Sequence, residues 1–215
     1  RGLALGPRTF WPVWASLLHN IYTGDDTAAQ ADARTLLELD PQNWGSLHVL
    51  RNADLAAGRY EVARARYARA YRELIEPEVP NVSTANYLSA IDLALVLMHM
   101  GEQKQADDLL EGSLQVIRTL PRLGINGYWI SDVRIFALQQ RPQRAIDALR
   151  QAIDEGWRIF SWLYLEYDPN LDSLRDEPGF QLLYSELQAD LETQARRVQD
   201  LKASGELSPT SLFVE

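Results

Sequence analysis

Three histidines are the chain's main candidates for acid–base or metal chemistry, and their placement argues against both. His19, His48 and His99 fall in three different helical stretches, with none of the close histidine or carboxylate pairings that zinc sites usually draw from one helix. Each reads as a surface or groove histidine. No nucleophile-elbow motif positions a serine, and no cysteine offers a thiolate or a disulfide. Neither a phosphate-binding glycine loop with its lysine nor a Gly-x-Gly-x-x-Gly run occurs. Asp168, Asn170, Asp172 and Asp176 are spaced like part of a calcium loop, but Ser173 stands where that loop needs glycine and Gly179 where a bidentate glutamate must close it. Helix capping explains them more simply. Arg59, Arg66, Arg69 and Arg72 could share one helical face, yet Glu61, Glu73 and Glu76 are close enough to offset them as a solvated, salt-bridged surface. The residues therefore point to no enzyme, no cofactor and no metal, with no catalytic residue to name.

The elements that carry these residues are helical. Apolar positions recur at three and four residues, no stretch alternates persistently at period two, and the expected fold is all-α. Helices are predicted over about Phe10 to Tyr22, Asp26 to Leu39, Trp44 to Ala57, Tyr60 to Ile75, Thr84 to Met100, Gln103 to Thr119, Tyr128 to Gln139 and Gln143 to Glu155. The fifth is the most apolar, with Ala90, Leu93, Ala94, Leu97 and Met98, as suits a central helix touched on both sides.

A register repeats through them. In Gly58 to Tyr71, small Ala63 and Ala70 stand seven apart, Tyr67 lies between them, and Gly58 can take the left-handed conformation that ends the preceding helix. Two antiparallel helices approach closely where one presents such small side chains. Equivalent positions are Ala29, Ala63, Ala106 and Ala145, at intervals of 34, 43 and 39 residues. The surplus fits in polar or proline-bearing links, Glu76 to Ala85 and Thr119 to Gly127.

This pattern resembles the tetratricopeptide repeat, a helical hairpin of about 34 residues. The resemblance implies four hairpins within residues 1–156, stacked as a right-handed superhelix, with a C-terminal capping segment and long helix over 157–203 and a tail over 204–215. Arg51 and Asp132 depart from it, since small or apolar residues usually stand there. The resemblance further implies a concave groove lined by the first helix of each hairpin: Trp14 and Leu18, His48 and Asn52, Ile91, Leu95 and His99, then Ile130, Arg134 and Arg141. The lysines of a chaperone-binding clamp are missing, His48 and Asp92 standing in comparable places, so a chaperone C-terminus is not the expected ligand. A groove apolar in the middle and basic toward Arg134 and Arg141 would suit a protein or peptide with acidic and apolar elements. The second function class is a small-molecule-binding or catalytic helical-repeat domain, with Asp and His residues in the groove.

After Gly156 the pattern changes. Trp157, Phe160, Trp162, Leu163 and Leu165 should seal the open end of the array, and Phe180, Leu183, Tyr184, Leu187, Leu191 and Val198 form one stripe down a long helix. Capping is the first reading of that helix and a homodimer seam the second. Asp168, Pro169 and Leu171, followed by Leu174 to Phe180, are similar to the end of the repeat region in bacterial signalling proteins, class III adenylate cyclases or winged-helix regulators. That likeness implies a regulatory or sensory region of a larger signalling protein. A chain starting at Arg1 without methionine reads as a piece of something longer, and the tail with Leu212, Phe213 and Val214 is expected to dock in a groove, its own or a neighbour's.

Composition sets the outer limits. With 46% apolar and 24% charged residues the chain can bury an ordinary core, and a net charge of −9 argues against non-specific attraction to nucleic acid or anionic lipid. No run approaches the roughly 18 apolar residues of a membrane span, and the compartment stays open.

Overall fold

The computed structural model describes residues 9–207 apart from 125, and among them the chain is all-α, with no strand. The segments 1–8 and 208–215 lie outside the described residues, and with them the expected docking of Leu212, Phe213 and Val214.

Eight helices form four consecutive pairs: α1 (Phe10–Thr23) with α2 (Asp26–Leu39), α3 (Trp44–Ala56) with α4 (Tyr60–Ala70), α5 (Tyr87–His99) with α6 (Gln103–Ile117), and α7 (Ser131–Leu138) with α8 (Pro142–Asp154). Each pair turns through the same device. Gly24, Gly58 and Gly101 adopt positive φ just past the first helix, and the next amide donates back to a carbonyl five residues earlier: Asp25 to Asn20 at 2.9 Å, Arg59 to Asp54 at 2.8 Å, Glu102 to Leu97 at 2.9 Å. This is the Schellman closure, which satisfies orphan carbonyls at a helix end. The fourth turn keeps the geometry without the glycine: Gln140 holds φ 56° and Arg141 donates to Phe136 at 2.9 Å.

The register of small residues is equally regular. Ala29, Ala63, Ala106 and Ala145 are all buried, as are the residues four further on, Ala33, Tyr67, Leu110 and Leu149. Partners within each pair touch, each second helix touches the first helix of the next pair, and first helices touch each other from α3 to α5 and from α5 to α7. Between the first helices of the first two pairs, Trp14 lies on Gly45, where a Cβ would meet the ring at 2.6 Å.

Three predicted boundaries move. The helix expected to run to Ile75 stops at Ala70, Tyr71 adopts an extended φ of −143°, and a 3-10 turn covers Arg72–Leu74. The helix expected from Thr84 starts at Tyr87, because Asn86 ties down the incoming link, its carboxamide accepting from the Ser83 amide at 2.8 Å and donating to the Asn81 carbonyl at 3.1 Å. The helix expected from Tyr128 starts at Ser131, after the positive-φ residue Trp129.

Beyond Gly156 come α9 (Ser161–Tyr167), a 3-10 helix over Pro169–Leu174, and α10 (Pro178–Ala203). Trp157, Tyr164, Leu165, Leu171 and Leu174 are buried in one cluster with α7, α8 and the first half of α10. Phe180, Leu183 and Leu187 of α10 are buried and Leu191 half-buried, but the expected stripe ends there: every residue over 192–200 is exposed, Val198 included. Residues 161–174 also cross the face made by α3, α5 and α7, and form a strap over it.

Candidate functional site

A carboxylate in the most apolar helix of a fold demands a partner, since an unpaired buried charge is very costly. Asp92 in α5 is such a residue, and it organises the centre of the molecule. Its Oδ1 accepts from Arg51 Nη1 of α3 at 3.1 Å, from Asn170 Nδ2 of the strap at 3.1 Å, and from Arg134 Nη2 of α7. Its Oδ2 faces His48 Nδ1 at 3.0 Å and the Tyr67 hydroxyl at 3.4 Å. The second carboxylate comes from the strap. Asp168 accepts from Arg134 Nε at 2.7 Å, from Arg51 Nη2 at 3.2 Å and from the Asn170 amide at 3.0 Å. Two guanidiniums thus face two carboxylates, all four groups at 2% exposure or less, joining α3, α5, α7 and the strap.

The polar atoms around this clamp are nearly all matched. Arg51 Nη1 also donates to Asn170 Oδ1 at 3.0 Å, and its Nε and Nη2 donate to Asn52 Oδ1 at 3.0 and 2.7 Å. Asn52 Nδ2 reaches His48 Nε2 at 3.3 Å, and the His48 Nδ1 that faces Asp92 also lies 3.2 Å from Arg51 Nη2. Burial would raise the Asp92 carboxyl, but Arg51, Arg134 and His48 outweigh it and hold it well below the usual carboxylate range. The balance at Asp168 is the same: burial raises it, and Arg134, His48 and Arg51 bring it below its ordinary value. Burial pushes the Tyr67 and Tyr164 hydroxyls up, and the Tyr164 hydroxyl finds no hydrogen-bond partner among the described residues. The Tyr164 ring instead carries Arg134, whose guanidinium carbon lies 5.5 Å from its centroid.

The ten residues expected to line a groove do not share one open surface. His48, Ile91, Ile130 and Arg134 are buried, Trp14, Leu18, Asn52 and Leu95 are half-buried, and His99 and Arg141 are exposed. The physical reason is the strap, which covers the middle of the face and uses Arg134 as an internal counter-ion. The basic end expected at Arg134 is therefore neutralised by Asp168 and Asp92. Recesses among the described residues flank the strap on this face. One, of 380 Å³, is lined by Leu95, Met98, His99 and Leu138 with Pro169 and Asn170. Another, of 240 Å³, opens between the first pair of helices, α3 and α9; Asn52 and His48 reach it from the clamp, and Ile21, Val49, Leu163 and Tyr167 wall it.

The remaining candidates separate cleanly. His19 is exposed, and His99 stacks on Tyr60 with centroids 4.9 Å apart. Among the described residues no group of three or more His, Asp or Glu is placed to hold a metal ion. Asp168 and Asn170 point into the clamp whereas Asp172 is exposed and bonded to Arg175 at 2.9 Å, so the calcium-like spacing gathers no oxygen cage. Arg59 and Arg66 both pair with Asp54 of α3, a partner the sequence did not single out, and Arg72 pairs with Glu76.

Sequence reasoning had Arg51, Asp92, Asp168 and Asn170 in hand without joining them. The signal was chemical: an arginine in a packing position and an aspartate inside YLSAIDLALVLMH each require an opposite charge from elsewhere. Tyr22, Tyr164 and Tyr167 were missed altogether.

No family model matches the chain, and no curated protein matches it. No helix among the described residues is long and apolar enough to cross a membrane.

Proposed function

We propose that the chain is a non-catalytic interaction module of the tetratricopeptide-repeat type, a right-handed superhelix whose own strap occupies the concave face and whose protein partner docks at the mouth beside the first pair. The fourfold Schellman turn and the buried alanine register support the repeat reading. The likeness of residues 168–180 to bacterial signalling proteins supports a regulatory or sensory role within a larger protein. The observation that carries the docking place is the mouth itself: a recess walled by the exposed Tyr167, with the exposed Tyr22 near it through Trp162, 5.5 Å from Tyr22 and 6.3 Å from Tyr167, when the face beneath is filled. Tyrosine is among the residues that most often anchor an interface.

The test is capture by the immobilised chain from a lysate of its source, compared with a Tyr22→Ala, Tyr167→Ala variant and with Asp172→Asn, all of equal helicity. A protein kept by the parent chain and by Asp172→Asn but lost from the tyrosine variant supports the mouth. Equal retention by all three refutes it.

A further inference from the structure

Among the described helices α1 alone carries no Asp, Glu, Lys or Arg. A helix without a charged face is ordinarily enclosed on all sides. This one stands at the end of the stack with only Val13 and Leu17 buried. Those two, with half-buried Phe10, Trp14 and Ile21, pack in one cluster with Ala29, Ala33, Leu36 and Leu50. At about 100° per residue the opposite arc holds Trp11, Ala15, His19 and Tyr22, all exposed, with half-buried Pro12 and Leu18 at its edges. Trp11 is 75% and Tyr22 73% exposed, even though Trp11 meets Phe10 and Tyr22 meets Trp162 edge to face.

Trp11, Ala15, Leu18 and Tyr22 follow one another at intervals of four, three and four, the alternation of a helix–helix seam. The order is self-complementary. Laid antiparallel on a second copy, about a two-fold axis midway between Ser16 and Leu17, Trp11 meets Tyr22 and Ala15 meets Leu18, so each ring meets a ring and the bulky side chain meets the small one. We infer that this face joins two copies of the chain through an antiparallel α1 pair. The chain has a net charge of −9, and this arc lets two copies touch without a like-charge pair or a desolvated ion. Opposed helix dipoles favour the antiparallel sense. At 1.5 Å per residue the seam is about 21 Å long, which keeps it in the class below roughly 1,200 Å² that forms transient complexes. None of these side chains lines the 240 Å³ recess, so this inference and the docking reading stand or fall separately.

The experiment is sedimentation velocity of the full chain from about 2 to about 200 µM, beside Trp11→Ser, Ala15→Glu, Leu18→Lys and Val198→Glu, each checked for parental helicity. The parent should pass from one chain to two as concentration rises, Trp11→Ser and Ala15→Glu should each weaken association at least about tenfold, and Val198→Glu should leave it unchanged. Trp11 and Ala15 are exposed, so neither change reaches the core. The decisive arm is a mixture. Ala15→Glu and Leu18→Lys chains should each stay single alone and pair when mixed, because the antiparallel register sets the new carboxylate opposite the new ammonium. No pairing in a mixture of two helical variants overturns the inference; should Leu18→Lys lose helicity, the Trp11→Ser and Ala15→Glu arms decide alone. A parent chain that stays single throughout also overturns it, and its pelleting with phosphatidylcholine vesicles would then give the face to lipid. Association abolished by Val198→Glu but kept by Ala15→Glu assigns the contact to α10 and overturns it equally.

Discussion

Asp168→Asn changes one atom type at the joint between strap and helices, and the structure sets the size of the effect. In the parent chain the Asp168 carboxylate accepts from Arg134, from Arg51 and from the Asn170 amide. An amide keeps one acceptor but turns an N–H toward a guanidinium N–H and leaves the buried cluster with one uncompensated positive charge. Breaking a buried ion pair from one side costs about 3–5 kcal/mol. For a chain of this size each kcal/mol lowers the melting temperature by about 2–4 °C, so a fall of roughly 6–20 °C is expected. Asp172→Asn, in an exposed pair with Arg175, should shift it by under about 1 °C. The diagnostic is the double variant. Arg134→Met alone leaves an excess negative charge, whereas Arg134→Met with Asp168→Asn restores formal neutrality, so the pair should cost at least about 2 kcal/mol less than the sum of the singles. Both Asp92 and Asp168 are held below their ordinary values, and a depressed carboxyl contributes stability that is present above the unfolded value, about 3.9, and is lost as pH falls through the folded one. The gap between parent and Asp168→Asn should therefore be full at pH 7 and narrow below about pH 4. Additive single effects, or a melting temperature unchanged by Asp168→Asn, would refute the clamp.

Three further outcomes follow from the same geometry. Gln140→Gly should raise stability by about 0.5–1 kcal/mol in urea unfolding, because glycine relieves a left-handed backbone that a β-carbon resists; a loss instead would mean that the Gln140 side chain contributes more than its strain costs. Gly45→Ala should destabilise by about 1–3 kcal/mol in the same assay and shift the fluorescence of Trp14, since the new methyl meets the ring at 2.6 Å. Burial raises the Tyr67 and Tyr164 hydroxyls, so their contribution is complete below the unfolded value of about 10 and is lost as pH rises above it. Their phenolate absorbance should appear together with loss of helical circular dichroism, and ionisation of all nine tyrosines in a still-helical protein would contradict their burial.

What was legible in the sequence was local. The alanine register and the turn glycines act within one hairpin, through contacts three, four or five residues apart, so their types and spacing announce them. Gln140 shows the limit even there: its turn is imposed by the α7/α8 packing, and no residue preference reveals it. The clamp was illegible for the opposite reason. Asp168 lies 117 residues from Arg51 and 34 from Arg134, and nothing local in Asp-Pro-Asn-Leu distinguishes a helix cap from a counter-ion; in the structure Asp168 is both, accepting from the Asn170 amide while holding two guanidiniums. The misfits to the repeat were the useful residues. Arg51 joins the clamp, and Asp132 binds Arg122 through both oxygens, pinning the link that precedes α7. Departures from a local rule tend to fall where a structure has been given another task.

Whether the strap is a gate or a wall is a question of magnitude. Tyr164, Leu165, Leu171 and Leu174 of the strap are each at 2% exposure or less. At about 1.5–3 kcal/mol for each large apolar side chain, lifting the strap exposes on the order of 10 kcal/mol of burial before the clamp is counted. That is as large as the whole stability of an ordinary domain, about 5–15 kcal/mol, so a molecule with its strap open is close to an unfolded one. A competing peptide would have to bind the bare face about ten million-fold more tightly than its apparent affinity shows, since every 1.4 kcal/mol is tenfold. The arginines of α3 and α7 therefore serve the fold, and a partner docked as proposed at the 240 Å³ recess would meet the clamp through Asn52 and His48 without the strap opening.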